Sequence, residues 1–385
     1  MYFEFASASR IIFGDGSAEQ LPKLAREKGI HALLVSDSFQ PEAVTRCIDA
    51  LRSADLQLTR VPVSGEPTIE AIDEAKAIAT SAGCDLVISI GGGSVIDTGK
   101  ASAALIPNEG EVIDYLEVIG AGRKLSATPL PFIALPTTAG TGAEVSKNAV
   151  LGSKAHRVKV SLRDNRMLAD IALVDPLLTH SLPPAVSAST GMDALTQVLE
   201  PFVSHLANPL TDGMCTEGLR RAGRSLRTVY AEPDNAAARS DMALTSLLGG
   251  LALANAKLGA VHGFAGVLGG MYDAPHGAIC AALLPPVIEA NIKALNTRER
   301  ENPALKRYEY AAQFLLFDRA ATVQDAMDWI SETSRIFDIP GLGAYGLREE
   351  DFGEIVEKSS VSSSMKGNPI VLSAEELTEI LYAAL

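Results

Sequence analysis

Positive charge is scarce in this chain. Its 33 lysines and arginines are outnumbered by 47 acidic residues, for a formal net charge of −14 over 385 residues. No basic patch interrupts that excess, so neither nucleic acid nor an anionic membrane surface is expected as a partner. Cysteine is scarce as well: Cys47, Cys84, Cys215 and Cys280 are scattered without paired spacing. That pattern suggests neither a disulfide framework nor a thiolate zinc site, and the expected compartment is a reducing cytoplasm. The segment Met1 to Ser9 lacks a basic stretch followed by an apolar core, so it does not read as a signal peptide. Internal repeats and low-complexity tracts are missing. Long uncharged runs are few. The exception spans Ala243 to Tyr272, where Lys257 is the only charged side chain and hydropathy by itself would suggest a membrane span. Its many glycines, with Asn255 and His262 among them, point instead to closely packed helices buried inside a protein.

Hydrophobic residues are plentiful, at 47%, in a chain too long for one ordinary core, so two domains are expected. The first part alternates β-branched runs with helical patterns. Strands are expected at 30–35, 56–63, 86–90 and 132–135, helices at 41–54, 69–82 and about 95–105, and an opening or edge strand at 10–13. Such alternation predicts a parallel α/β sheet. After Val174-Asp175-Pro176 the texture changes to alanine- and leucine-rich segments of helical period. We therefore expect an α/β domain over residues 1–178 and an all-helical domain over 179–385.

Strand 86–90 runs directly into Gly91-Gly92-Gly93-Ser94 and then a helix. Glycines let a backbone approach a pyrophosphate closely, and the helix start offers free N–H groups and positive potential. A tight turn using glycine for its dihedral freedom is the plainer reading of such a cluster. A second strand leads into Thr137-Thr138-Ala139-Gly140-Thr141-Gly142, whose hydroxyls and amides are placed to line the same crevice. Neither loop is the usual Gly-x-Gly-x-x-Gly fingerprint or a P-loop. Asp37, after strand 30–35, stands where an acidic group can hydrogen-bond a ribose hydroxyl and repel a 2′-phosphate; a surface turn residue is its plainer reading.

In the second part, Asp193, Gln197 and Glu200 share one face of a helix at spacings of four and three. Farther on, His262 lies in an apolar helix, and His276 follows Pro275 at the amino end of the next. One histidine on an apolar helix is usually a hydrogen-bonded core residue. Two of them together with a buried acidic face read as a divalent cation site, with Asp193, His262 and His276 as strong ligands and Gln197 where a fourth would stand. Nitrogen and carboxylate donors suit Zn²⁺, Fe²⁺ or Mn²⁺.

Taken together, Gly91–Ser94 with Ile96, Asp97 and Lys100, then Leu135 to Glu144, then Asp175-Pro176 with Pro183 form one recognisable set. Gly191 to Thr196, His262-Gly263, Pro275-His276-Gly277 and Asn368-Pro369 complete it. Over almost its whole length the chain resembles the iron-containing, group III alcohol dehydrogenase family. The resemblance implies a Rossmann-like dinucleotide domain followed by an all-helical metal domain, the architecture shared with dehydroquinate synthase. It implies NAD(P)-linked interconversion of a small alcohol and its aldehyde or carbonyl, with Asp193, His262 and His276 at the catalytic centre. The implied cofactors are NAD, in preference to NADP because of Asp37, and a divalent metal, Fe²⁺ or Zn²⁺. Gly91, Gly92, Gly93, Ser94, Asp97, Thr137, Thr138 and Thr141 are implied to bind the nucleotide, Lys159 to lie near it, and the assembly to be a homodimer.

The chain departs from the family at two positions. Most metal-dependent members carry histidine where Gln197 stands, and many carry a further histidine where Gly266 stands, which leaves the proton path unassigned and widens the pocket. Other readings therefore stay open: a metal-independent reductase of a small oxo acid such as maleylacetate, a dehydroquinate synthase-like lyase, and a non-catalytic nucleotide-binding pseudoenzyme.

Overall fold

The computed structural model describes residues 2–38, 41–153, 155–156 and 158–385. It divides into two compact units: Ala6–Thr138 with Gly142–Ser181, and Leu182–Leu385 with the amino-terminal segment up to Phe5 and Ala139–Thr141. The main change of unit falls at Ser181, three residues past the expected one, because the turn at Pro176–Thr179 remains tied to the sheet. Asp175 accepts from Leu177 N at that turn and also from Gly16 N and Ala18 N. Ala139–Thr141, expected with the sheet, groups with the helices because the Gly140 carbonyl accepts from the buried Gln197 amide.

The first unit opens with β1 (Arg10–Phe13), α1 (Leu21–Arg26), β2 (His31–Asp37), α2 (Glu42–Ser53), β3 (Gln57–Val63) and α3 (Ile69–Ala82). It continues with β4 (Leu86–Gly91), α4 (Gly93–Leu105), α5 (Val112–Tyr115), β5 (Phe132–Pro136), β6 (Asn148–Ser153), β7 (Val158–Arg163) and β8 (Ile171–Val174). A six-stranded sheet runs β1-β8-β5-β4-β2-β3 with parallel pairing throughout. Strands β4 and β5 are buried along their whole length, as expected of strands covered on both faces. One apolar layer joins α1 and α2 to the sheet. A second gathers Ile72 of α3, Ala101 and Leu105 of α4, and Leu151 and Leu162 of an antiparallel β6–β7 hairpin. The sequence pattern did not suggest that hairpin or β8, since a four-residue strand and a short polar-edged hairpin carry little periodicity.

The second unit is helical: α6 (Pro184–Val203), α7 (Pro209–Ala231), α8 (Ala236–Ala256), α9 (Ala260–Met271), α10 (His276–Arg298), α11 (Ala304–Leu316), α12 (Val323–Ile336), α13 (Phe352–Ser360) and α14 (Ala374–Ala384). Helices α6, α7 and α8 pack on one another, and α10 packs on α6, α9 and α14 around one large apolar core. The uncharged run from Ala243 to Tyr272 is two helices, α8 and α9, set at 101° to each other. By length and apolarity α10 could cross a membrane, yet 61% of its most apolar window is buried within the protein, where it builds the core.

Candidate metal centre and nucleotide cradle

Helix α6 carries Asp193 and, two turns later, Glu200, on a face turned into the apolar core; both are about 96% buried as side chains, which obliges each to find partners. His262, in the first turn of α9, lies between them. Its Nε2 is 3.2 Å from Asp193 Oδ1, and its Nδ1 is 2.7 Å from Glu200 Oε2. The other Glu200 oxygen accepts from Val261 N at 2.7 Å, and Asn368 Oδ1 accepts from Ala260 N at 3.1 Å. Two N–H groups left without helical partners at the start of α9 are thus satisfied, which fixes the angle at which His262 enters the site. Asn368 in turn is held by Asn291 of α10 and by the Ile370 carbonyl, so the Asn368-Pro369 motif is a strut behind the histidine.

His276 begins α10, immediately after Pro275 at the cap, and its Nε2 lies 3.7 Å from Asp193 Oδ1. Helix α10 approaches α6 closely here. A Cβ on Gly277 would overlap the Ser189 carbonyl oxygen, so only glycine allows this contact. One turn beyond His276, Cys280 places Sγ 3.8 Å from Asp193 Oδ1 and 3.9 Å from His262 Nε2. Ligand atoms of Asp193, His262, His276 and Cys280 all lie within 4.8 Å of one another, a grouping with the donor types and spacing for a divalent cation. The His276 side chain is 33% exposed while Asp193 and His262 are buried, so the centre opens to a ligand on the His276 side.

The electrostatics fit a cation. Burial would raise the Asp193 carboxyl, but the neighbouring His276 and His262 hold it below the usual range. Burial would likewise lower both imidazoles, yet the anionic surroundings of Cys280, Glu200 and Asp193 hold His262 well above its ordinary value, and Cys280 and Asp193 raise His276. The cluster is a buried field that favours positive charge, which a metal ion satisfies with imidazoles neutral.

Gln197, expected among the ligands, is buried, and its Nε2 donates to the Gly140 carbonyl at 2.8 Å. Cys280 was missed because the cysteines were judged by their spacing from one another. The usable signal was the four-residue step from His276, which puts both side chains on one helix face. Glycine stands at position 266 with no heavy atom within 4 Å of where a Cβ would be, so the place of the absent histidine is open space.

In the first unit, β4 ends at Gly91 and α4 begins at Gly93, so Gly93 and Ser94 belong to the helix's first turn and the linking turn is shorter than expected. No side chain caps that turn, so backbone N–H groups at the helix start are not taken up by a capping side chain. A Cβ on Gly91 would lie 2.8 Å from Asp37 Oδ2, and Gly92 N–H donates to Asp37. Asp37, whose carboxyl is pushed up by burial, therefore sits against the glycine turn and is no plain surface residue. Thr137 N donates to the Gly91 carbonyl at 3.0 Å, and Thr138 lies beside Gly92, so adjacent strands bring both small-residue loops to one sheet edge. Thr141 falls with the helical unit. Asp97 accepts from Val150 N at 2.9 Å and pairs with Lys100 at 3.5 Å. Lys100 is fully buried and donates to the Ala143 and Asn148 carbonyls. These two motif residues brace the cradle from behind. Lys159, on β7, pairs with Glu66 at 3.1 Å.

A glycine turn at a strand end in one unit and a cluster of metal-type donors in the other stand beside a likeness to known proteins. The chain belongs to the iron-containing alcohol dehydrogenase family, which it matches over residues 8–176, and over residues 187–385 for the family's carboxy-terminal part. It is 31% identical to alcohol dehydrogenase 4 of Saccharomyces cerevisiae, over 97% of this chain and 96% of that one. It is 34% identical to a 1,3-propanediol dehydrogenase of Klebsiella pneumoniae, over 92% of each chain. A crystal structure of a 1,3-propanediol oxidoreductase superposes with a TM-score of 0.92 at 30% identity, covering both chains completely. The fold is that of the family, and so is the reaction class: nicotinamide-linked oxidoreduction between alcohol and carbonyl groups.

Proposed function

We propose that this protein is a divalent-metal-dependent, NAD-linked dehydrogenase of small alcohols that also reduces the corresponding aldehydes. The observation that carries this reading is the convergence of Asp193, His262 and His276 on one point, with Glu200 holding the back of His262. When bound there, a divalent cation, Fe²⁺ or Zn²⁺, would lower the pKa of a substrate hydroxyl or polarise a carbonyl. Asp193 supplies negative charge to that position, and the two imidazoles supply nitrogen donors. The partly exposed side of His276 admits a small substrate.

For the nucleotide, Gly91 and Gly92 let a pyrophosphate approach the backbone, Gly93 and Ser94 offer it N–H groups at the helix start, and Thr137, Thr138 and Thr141 offer hydroxyls. Asp37 accepts from a ribose hydroxyl and opposes a 2′-phosphate, which favours NAD over NADP. Asp97 and Lys159 act from their ion pairs, Asp97 by fixing the start of α4 and Lys159 by adding positive charge to the cradle. Gln197 secures Gly140 and is a weak neutral donor beside stronger ones. A homodimer is consistent with β1, which lies at an edge of the sheet. Four buried free cysteines suit a reducing compartment.

The test is elemental analysis of purified protein with an absorbance scan at the NADH band across alcohols, diols, aldehydes and hydroxy acids. Wild type should retain about one metal per chain and turn over. Asp193→Asn should lose metal and turnover while NAD binding remains measurable. Full turnover by the variant after chelation would overturn the metal-dependent reading and favour a metal-independent reductase.

A further inference from the structure

We infer that Cys280 is the fourth protein ligand of the divalent cation, so that the ion is held by Asp193, His262, His276 and a thiolate. This rests on the reading above that the first three residues hold a metal. Three observations carry it. Sγ is fully buried in α10 and lies 3.8 Å from Asp193 Oδ1 and 3.9 Å from His262 Nε2. Those separations have the right order for donors sharing one ion, with a fifth position left for substrate on the exposed His276 side. Metal–nitrogen or –oxygen bonds of ~2.1 Å and a metal–sulfur bond of ~2.3 Å place neighbouring donors about 3.3 to 3.6 Å apart. The observed spacings, including 3.2 and 3.7 Å from Asp193 to the two imidazoles, lie within a few tenths of an ångström of this. Finally, Cys280 stands one helical turn from His276, facing the same point.

The consequence is chemical. Two anionic ligands, Asp193 and a Cys280 thiolate, would balance the charge of a dication. Sulfur also shifts preference toward thiophilic ions such as Zn²⁺ and Cd²⁺ and away from Mn²⁺. Binding releases the thiol proton to solvent, with no change of oxidation state.

Cobalt reports this directly. Full-length apoprotein loaded with Co²⁺ should show a near-ultraviolet sulfur-to-cobalt charge-transfer band. Cys280→Ser should lose the band and bind Cd²⁺ at least ~10-fold more weakly, with a smaller loss for Mn²⁺, while Gln197→Ala keeps the band. Wild-type protein that binds Co²⁺ without the band overturns the inference and leaves the three-residue metal reading standing. Loss of the band in Gln197→Ala but not in Cys280→Ser also overturns it. Protein that binds none of Co²⁺, Zn²⁺ or Fe²⁺ overturns both. The wild-type spectrum decides even if Cys280→Ser fails to fold.

Discussion

Replacing Glu200 by glutamine tests how the site is built. The two Glu200 oxygens accept from Val261 N and face His262 Nδ1, each at 2.7 Å. A carboxylate only accepts, so Nδ1 carries a proton and the Nε2 lone pair is left for the cation. Glutamine is nearly the same shape but has one acceptor and one donor. If its oxygen takes Val261 N–H, its NH₂ meets Nδ1, which must then give up its proton to Nε2, the metal-facing nitrogen. If its oxygen takes Nδ1–H, its NH₂ confronts Val261 N–H, and a buried donor is left unmet at a cost of about 1–3 kcal/mol. Either arrangement harms the site. Losing such an outer partner costs roughly 10–100-fold in metal affinity, or about 1.4–2.7 kcal/mol. Zn²⁺ competition against a chromophoric chelator measures the loss, and long-range ¹H–¹⁵N spectra of the Zn²⁺-loaded protein report whether His262 Nδ1 is protonated. Unchanged affinity with Nδ1 still protonated would refute the idea that Glu200 sets the tautomer.

Three further outcomes are expected. Gly277→Ala puts a methyl group into the Ser189 carbonyl and so forces α10 off α6; it should cost at least about 1–3 kcal/mol and lower metal content, and a variant with wild-type melting would contradict the close approach. The Glu144 carboxyl is pushed up to about 7 by burial, despite the nearby Lys100. Because the folded state holds this proton more tightly than the unfolded chain, the native protein binds more protons between the two values. Glu144 therefore favours folding most below about pH 4.5, and that contribution disappears as pH rises through about 7, a swing of order 3 kcal/mol. Glu144→Gln should flatten this dependence in denaturant titrations at about pH 5 and about pH 8; an unaltered slope would assign it to other groups. Asp37→Ala should narrow the NAD-over-NADP preference in kcat/KM about tenfold, roughly 1.4 kcal/mol, and an unchanged ratio would remove Asp37 from cofactor selection.

Much of the fold could be read directly because it rests on local periodicity. The helix at Ile69–Ala82 and the strands through Leu86 and Phe132 follow from β-branched runs, apolar spacing and glycine or threonine ends, with Thr68 capping the helix start and Gly83 taking a left-handed conformation at its end. Strand β8 and the β6–β7 hairpin are held by pairing partners far away in the chain, and four to six residues carry too little period to announce that. Motif residues divided in the same manner. Lys100, Asp175 and Asn368 look functional in a one-dimensional pattern, yet each is spent on buried backbone groups: the Ala143 and Asn148 carbonyls, the Gly16 and Ala18 amides, and the start of α9.

By itself, then, the sequence determined the two-part architecture, the glycine turn at the end of β4, and the nomination of Asp193, His262 and His276, since these depend on residue type and on spacing within single elements. Only the tertiary structure decided which donors share a point. Gln197 and Cys280 lie 83 positions apart on α6 and α10. That Cys280 joins the cluster depends on how α10 crosses α6 at Gly277, and the Gln197 amide nitrogen is drawn to the Gly140 carbonyl. Neither distance is encoded in the neighbourhood of either residue, because both arise from packing between helices.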